Sequence, residues 1–234
     1  MTEYAIEFRD VVKRLGGTAV LDGLSFSVRK GELFAIVGPS GTGKSVTLRH
    51  IVGLMEPDAG EVVSSTGRIG YLFQSGALLA WMTVFDNVAL PLVETTRLSD
   101  EKIEAKAMDA LRAVGLEGDA DKYPAEISGG MQKRAGLARA IVCDAEVILY
   151  DEPTSGLDPV TSTNIMRLIV DLCRKRGITS VVVTHDLAAA LRDADRIMLL
   201  KDGRAVVCAD PSAFAASRDP VAREFLSATG GDAL

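Results

Sequence analysis

LFAIVGPSGTGKS, residues 33–45, decides the fold of this 234-residue chain. Its first half, LFAIVG (33–38), is an unbroken apolar run that ends in glycine, which is typical of a buried strand in a parallel sheet. Its second half, GPSGTGKS (38–45), matches the pattern G-x-x-x-x-G-K-[ST], and the residues from Lys44 to Leu54 read as a helix. A strand, a glycine-rich loop and a helix in this order predict a phosphate-binding loop in an α/β fold.

The residue types in this loop suit contact with a phosphate. Its glycines let the backbone curl so that its N–H groups point at phosphate oxygens, and the helix beginning near Lys44 adds the positive end of its dipole. Lys44 is expected to reach the β- and γ-phosphates of a nucleotide, and the Ser45 hydroxyl to ligate Mg²⁺. The residues predicted to contact the nucleotide here are Gly38, Pro39, Ser40, Gly41, Thr42, Gly43, Lys44, Ser45 and Val46.

Polar side chains end two other apolar runs. Asp151 follows VILY and can hold Mg²⁺, directly or through water, while Glu152 can act as general base on an attacking water. The alternative, a pair of helix-capping or solvated acids, loses weight beside a phosphate loop. His185 ends TSVVVTH (179–185), and because parallel strands end at the same edge, it can donate a hydrogen bond to the γ-phosphate. His50, among apolar residues, is predicted to be a core histidine.

The composition narrows the class of protein. The chain is 47% hydrophobic and 25% charged, with a net charge of −6 and only 5% aromatic residues. No basic block stands out to neutralise phosphates, which argues against a nucleic-acid partner. The charged N-terminus predicts no signal peptide, and no apolar run reaches the length of about 18 residues that a membrane helix needs. Any membrane role is therefore expected to work through a partner.

Strands and helices alternate along the chain, which predicts a mainly parallel core sheet with ligands at the carboxyl ends of its strands. Residues 4–30, turning at Gly16-Gly17, and residues 196–209, turning at Asp202-Gly203, read as hairpins that add antiparallel structure. The tail, residues 211–234, is predicted to be a short helix and a loose end.

ISGGMQKR, residues 127–134, resembles the signature motif of ATP-binding cassette (ABC) ATPases, usually written LSGGQ. Ser128-Gly129-Gly130 match it, whereas Ile127 replaces Leu and Met131 replaces Gln. A serine and two glycines at a helix N-terminus offer N–H groups and a hydroxyl to a phosphate. In this family that phosphate belongs to ATP held by the other subunit of a head-to-tail dimer.

The resemblance covers residues 4–209 and assigns further roles. It implies an enzyme that binds ATP with Mg²⁺, works as a dimer with a second copy of itself, and hydrolyses ATP with Glu152 and His185. It identifies Gln74 with the Q-loop glutamine, Asp158 with the D-loop and His185 with the H-loop. The implied metal ligands are Ser45, Gln74 and Asp151, and the implied nucleotide contacts outside the phosphate loop are Gln74, Ser128, Gly129, Gly130 and Asp158.

The resemblance also implies the architecture. We expect one ATP-binding domain over residues 1–234 with a P-loop NTPase fold: a mainly parallel core sheet, a flanking antiparallel β-subdomain and a helical subdomain at about 75–142. Two departures stand out. Leu15 takes the place where many cassettes stack adenine on an aromatic residue, and the stretch from Gly60 to Arg68 is short, so the antiparallel subdomain is expected to be trimmed.

Several stretches are similar to the ATPases of lipid transporters associated with mammalian-cell-entry (MCE) proteins, which include the bacterial Mla system. They include GTGKSVTLRHIVGL (41–54), SGGMQKRAGLARAI (128–141) and the tail DPVAREFLSATG (219–230). The implied cargo is phospholipid, with an MCE-type lipid-binding protein in the same complex. ALLAW (77–81) favours the alternative, a nitrate- or taurine-type importer. A non-transport cassette is a distant alternative, because the chain has no room for a coiled-coil insertion between Lys44 and Ser128.

The partner implied by this family is an integral-membrane permease, which places the chain on the cytoplasmic face of the membrane. The docking surface is expected at residues 75–98, where the apolar residues are Leu78, Leu79, Trp81, Met82, Val84 and Phe85. The alternative is that these side chains only pack the helical subdomain. Trp81 and Met82 are expected to be the most exposed of them.

Overall fold

The computed structural model of the chain describes residues 4–229. Its nine strands and eight α-helices within that range are β1 Tyr4–Leu15, β2 Thr18–Arg29, β3 Leu33–Val37, α1 Lys44–Ile51, β4 Ala59–Ser64, β5 Ile69–Leu72, α2 Val84–Thr95, α3 Asp100–Ala113, α4 Gly129–Ile141, β6 Val147–Asp151, α5 Pro159–Arg176, β7 Thr179–Val183, α6 Leu187–Asp193, β8 Arg196–Lys201, β9 Arg204–Ala209, α7 Pro211–Ala215 and α8 Pro220–Ala228. Contacts divide the chain into two compact units. The described residues of Met1–Gly67 and Cys173–Leu234 form the first, and Arg68–Leu172 form the second.

The first unit contains a three-stranded antiparallel sheet in the order β2-β1-β4. The predicted hairpin turns at Gly16-Gly17, as expected. Strand β4 was not predicted, because its short sequence follows a turn signal. Gly60 explains how it fits: its φ is 81°, and a Cβ atom there would lie 2.3 Å from the backbone oxygen of Asp10 on β1. Only glycine allows this close approach of two strands.

The first unit also carries a mixed sheet, in which β3 pairs in parallel with β7 on one side and β8 on the other, and β8 pairs antiparallel with β9. Every residue of β3 and β7 is buried, which explains their continuous apolar sequences. The backbone N–H of Thr184 donates to the oxygen of Ile36 at 3.2 Å. Strands β3 and β7 therefore end side by side, and the residues that follow them leave the sheet at one edge.

In the second unit β5 and β6 pair in parallel, with Leu72 opposite Tyr150. Helix α4 lies close against β5, because Gly70 and Gly136 have no side chains. A Cβ atom on Gly70 would lie 2.3 Å from the oxygen of Ala140, and one on Gly136 would lie 2.8 Å from a methyl group of Leu72. Helices α2, α3 and α4 pack on one another in this unit.

The parallel core, the antiparallel sheet and the helices agree with the predicted fold class. One local expectation was incomplete. The tail forms two helices rather than one, α7 and α8, each started by an aspartate that accepts N–H bonds and a proline in the first turn. Residues 230–234 of the predicted loose end lie outside the described residues.

No helix in residues 4–229 combines the length and the apolar character needed to cross a bilayer.

Candidate functional site

The phosphate loop joins β3 to α1 in the first unit, and two of its glycines are required by sterics. A Cβ atom on Gly38 would lie 2.2 Å from the backbone oxygen of Leu200, and Gly38 has a φ of 151°. Gly43, with φ 97°, is the N-cap of α1, and a Cβ atom there would lie 2.9 Å from the oxygen of Val20. Side chains at these positions would push the loop away from the sheet, so its path depends on glycine.

Lys44 is held inside the loop that precedes it. Its side chain is 7% exposed, and Nζ donates to the carbonyl oxygens of Gly38 and Pro39, each at 2.8 Å. The Thr42 hydroxyl donates to the same Pro39 oxygen at 2.9 Å. The ammonium group therefore lies across the loop, where it can neutralise a bound phosphate. Ser45 is half-buried on the first turn of α1.

His185 follows β7 and is exposed, at the edge of the sheet where β3 also ends. Hydrogen bonds of the residues directly before and after His185 fix the turn on which it lies. Thr184 is buried and its hydroxyl accepts the N–H of Asp186 at 3.0 Å, while the Asp186 carboxylate caps α6 by accepting the N–H of Ala189 at 2.9 Å. The phosphate loop and His185 thus share one edge within the first unit.

Asp151 and Glu152 end β6 in the second unit. Asp151 is 9% exposed, and its Oδ2 accepts a hydrogen bond of 3.1 Å from the Tyr71 hydroxyl on the neighbouring strand. Glu152 has a φ of 49°, a left-handed conformation that costs a non-glycine residue about 1–3 kcal/mol and is typical of functional sites. The chain therefore turns sharply at Glu152, directly after the strand that ends with Asp151.

Gln74 follows β5 and belongs to the same edge. The last paired residues of the two strands are Leu72 and Tyr150, and Gln74 and Glu152 each lie two residues beyond that pair. The amide nitrogen of Gln74 donates to the Ser155 hydroxyl at 3.3 Å. The second unit therefore brings Gln74, Asp151 and Glu152 together at the carboxyl ends of β5 and β6.

Lys133 is a polar residue at this edge that the sequence analysis assigned no role. It lies on α4, is 5% exposed, and its Nζ donates to the backbone oxygens of Gln74 and Glu152. Burial lowers the pKa of Lys133, while the charges of Glu152 and Asp151 oppose that effect. The one sequence signal for Lys133 is its place in the run QKR (132–134), one helical turn after the two glycines of the motif.

The predicted signature serine caps α4. The Ser128 hydroxyl accepts the N–H of Met131 at 3.3 Å, which leaves the first amides of the helix at its exposed end. Gly129 is exposed, and a Cβ atom there would meet nothing closer than a methyl group of Leu157 at 3.8 Å. A Cβ atom on Gly130 would lie 2.5 Å from Cγ2 of Thr161. The first glycine is therefore free to face a ligand, whereas the second is required for packing.

Asp158 starts α5. Its carboxylate accepts the N–H groups of Val160 and Thr161, each at 3.0 Å, and the Thr161 hydroxyl at 2.6 Å. The Thr161 hydrogen bonds lower the pKa of Asp158. Within the second unit Asp158 acts as a helix cap, and its predicted contact with nucleotide stays a prediction.

The predicted docking residues differ in exposure. Trp81 is 73% exposed and Met82 is half-buried, but Val84 is fully buried and packs inside the helical unit. Val84 therefore corrects the predicted surface. Asn87, which the sequence analysis did not single out, is fully buried and its amide group bonds to the backbone of Leu79, Met82 and Thr83, which fixes the loop before α2.

A groove lies between α2 and α3, with a volume of about 760 Å³. Its lining includes apolar side chains, among them Met82, Phe85 and Met108. Its lining also carries six carboxylates, while none of the described lining residues is Lys or Arg. The acidic residues are Asp86, Glu94, Asp100, Glu104, Glu117 and Asp121. The groove is thus suited to a segment that is apolar on one side and positively charged around it.

His50 behaves as the core residue that was predicted. It is 4% exposed, and its Nδ1 lies 2.7 Å from the oxygen of Val46 one helical turn earlier. Burial lowers the pKa of His50, so the neutral imidazole is favoured.

Comparison with known proteins identifies the family of the chain. A family model described as ABC transporter matches residues 21–155. The match spans more than half of the chain, so the protein belongs to the ABC transporter family, as an ATP-binding, ATP-hydrolysing subunit.

Among curated proteins, the chain is similar to the intermembrane phospholipid transport system ATP-binding protein MlaF of Escherichia coli K12, with 41% identity covering 94% of this chain and 88% of MlaF. It is also similar to the probable ribonucleotide transport ATP-binding protein mkl of Mycobacterium leprae, with 39% identity covering 95% of this chain and 69% of that protein. Among solved structures, the ATP-binding cassette MJ0796 as a dimer in a post-hydrolysis state, bound to ADP and Pi, has a TM-score of 0.80 at 34% identity and covers 88% of this chain and 98% of its own.

Proposed function

We propose that this ABC ATPase drives phospholipid transport through a separate membrane permease. The observation that carries the proposal is the 41% identity to MlaF, a phospholipid-transport ATPase by name, over nearly the whole of both chains. The relative named for probable ribonucleotide transport is slightly less similar and extends further beyond the match. Phospholipid is therefore favoured over a small-molecule cargo, including the nitrate or taurine alternative.

For the chemistry, we assign Lys44 to the ATP phosphates, Glu152 to the attacking water as general base, and His185 to a hydrogen bond with the γ-phosphate. The buried ammonium of Lys44 in its loop, the turn at Glu152 and the exposed imidazole beside the loop support these assignments. The remaining phosphate contacts are assigned to the loop from Gly38 to Val46, and adenine is held without an aromatic side chain at the exposed Leu15.

We assign Mg²⁺ to the Ser45 hydroxyl, the Gln74 amide oxygen and the Asp151 carboxylate. All three ligands are oxygens, which Mg²⁺ prefers, and Mg²⁺ commonly takes few protein ligands and completes its shell with phosphate oxygens and water. When bound, the ion would neutralise charge on the β- and γ-phosphates.

We propose that the working unit is a homodimer with two ATP molecules, and that each chain forms one ATP-binding domain. The dimeric MJ0796 structure supports this arrangement, as does the exposed start of α4. Ser128, Gly129 and Gly130 would bind the phosphate of ATP held by the second copy, with Asp158 close to that contact. Since helix N-termini attract anions, this assignment needs no further charge from the protein.

The permease is expected to dock in the acidic groove between α2 and α3, and the exposed Trp81 directly precedes Met82, which lines that groove. This contact would place the chain at the cytoplasmic face of the membrane. An MCE-type lipid-binding protein would belong to the same complex, as the sequence resemblance to the ATPases of MCE-associated lipid transporters implies.

The test is to purify the tagged chain with its membrane partners, reconstitute the complex in vesicles containing labelled phospholipid, and measure ATP-dependent lipid transfer. Lys44→Ala should abolish transfer, because the loop loses the charge that binds phosphate. A small-molecule receptor among the purified partners, with no lipid transfer by the active complex, would overturn the lipid proposal and leave the ATPase assignment intact.

A further inference from the structure

Contacts at three positions along helix α4 hold it against residues 74–77, the segment that follows β5. Near its start, Lys133 donates to the oxygen of Gln74. One turn later, Gly136 lies so close to Gly76 that a Cβ atom would be 3.1 Å from its oxygen. Near its end, Arg139 donates to the oxygens of Gly76 and Ala77, each at 2.8 Å. The helix and residues 74–77 are therefore held as one piece.

Lys133 differs from Gly136 and Arg139 because its side chain also contacts Glu152, the residue directly after β6. Its ammonium donates to the oxygen of Glu152 at 3.3 Å, so a single buried cation bridges the ends of two parallel strands. Beyond Leu72 and Tyr150 the ladder has ended, and the two backbones would otherwise separate. A buried ammonium requires hydrogen-bond acceptors, and these two carbonyl groups supply them.

These hydrogen bonds form a closed ring that includes Glu152, the predicted general base. Lys133 connects the backbone of Gln74 to that of Glu152. The backbone oxygen of Glu152 also accepts a hydrogen bond from the N–H of Ser155 at 3.1 Å. The Ser155 hydroxyl in turn accepts a hydrogen bond from the side-chain amide nitrogen of Gln74 at 3.3 Å. Glu152 has a left-handed backbone that must be held by its surroundings. Fixing its carbonyl group fixes the direction in which its carboxylate leaves the chain.

We propose that Lys133 is a positioning residue for ATP hydrolysis, which holds Gln74 and Glu152 in one geometry from the helix that Ser128 caps. The inference rests on the assignment of Glu152 as general base. It predicts that the loss of the ammonium slows hydrolysis and leaves ATP binding intact, because the phosphate loop belongs to the other unit.

The test compares Lys133→Met with the wild-type chain for kcat and, in EDTA to stop turnover, for the Kd of ATP. Charge-assisted hydrogen bonds of this kind correspond to a loss in kcat of about 10- to 100-fold. The Kd should stay within about threefold, since Lys133 contacts only backbone oxygens. Lys133→Arg, which keeps the charge and the donors, should recover most of the lost kcat.

Lys106→Met is the matched control, because Lys106 pairs with Asp144 at the surface and should leave kcat and Kd unchanged. If Lys133→Met does not fold, Lys133→Gln retains an uncharged amide donor group and should show a smaller loss in kcat. A folded Lys133→Met or Lys133→Gln with wild-type kcat overturns the proposal, as does a loss of kcat that Kd follows in parallel. Glu152→Gln is measured alongside: if it still hydrolyses ATP, the assignment of the base fails instead.

Discussion

At the scale of single residues, the two glycines of the signature motif, Gly129 and Gly130, have different structural roles. Gly129 is exposed with open space beside it, whereas Gly130 packs against Thr161 on α5. Thr161 cannot easily turn away, because its hydroxyl is bonded to the carboxylate of Asp158. The motif therefore combines one glycine for packing with one glycine that leaves room for a ligand.

This difference can be measured with Gly130→Ala and Gly129→Ala. Both changes favour helix formation, but only the first places a methyl group 2.5 Å from Thr161. Overpacking of this kind typically costs about 1–3 kcal/mol, so Gly130→Ala should have the lower free energy of unfolding by about that amount. Urea denaturation of the two proteins without nucleotide is the measurement. Equal stabilities would contradict the close packing of α4 on α5.

At the scale of elements, the helices α2 and α3 present a binding surface that no single helix has. Apolar side chains and six carboxylates line the groove, and the carboxylates come from both helices and from the segment after α3. Six negative charges around one groove repel each other and attract a cationic partner. If the proposed permease docks here, the charge of the groove predicts that the docking segment is basic.

Charge reversal tests this surface. Glu94→Lys with Glu104→Lys should reduce copurification of the permease at least about tenfold, because each change replaces an attraction with a repulsion. Asp109→Lys is the control, since Asp109 is exposed on the same helix α3 and does not line the groove. ATP binding by the isolated chain should not change in either protein. Normal copurification of the double variant would place the docking surface elsewhere.

At the scale of the whole molecule, the phosphate loop belongs to one unit and the signature helix to the other. The dimeric relative bound to ADP and Pi supports a working unit of two chains. Closing a dimer on ATP excludes water and strengthens contacts to the γ-phosphate, so assembly and hydrolysis are separable steps.

Two substitutions should separate these steps. Glu152→Gln keeps the size of the side chain but removes the base, whose contribution is typically about 10²- to 10⁴-fold, so this variant should accumulate as an ATP-bound dimer. Gly129→Asp should bind ATP as a monomer and fail to close, since a carboxylate at the start of α4 repels phosphate while the helix itself tolerates it. Sedimentation with ATP measures both. A Glu152→Gln chain that stays monomeric at high concentration, alone and with its permease, would contradict the shared site.

The sequence by itself determined the family, the core fold and the motif residues. Each predicted phosphate-binding motif is a short contiguous stretch, such as residues 38–45 and 127–134, and its backbone geometry depends on local glycines and a helix start. The apolar runs of β3, β6 and β7 likewise report burial on both faces of a sheet. These features can be predicted from the sequence because they do not depend on which distant residues contact one another in the fold.

Only the tertiary structure decided which side chains meet across long separations. Lys133 lies 59 residues from Gln74 and 19 from Glu152, and nothing in its local sequence distinguishes a buried ammonium from a solvated one. The burial of Val84 and the strand β4 depend in the same way on packing partners far along the chain. Because periodicity reports which face of an element is apolar but not what covers it, these features follow from the fold rather than from the pattern.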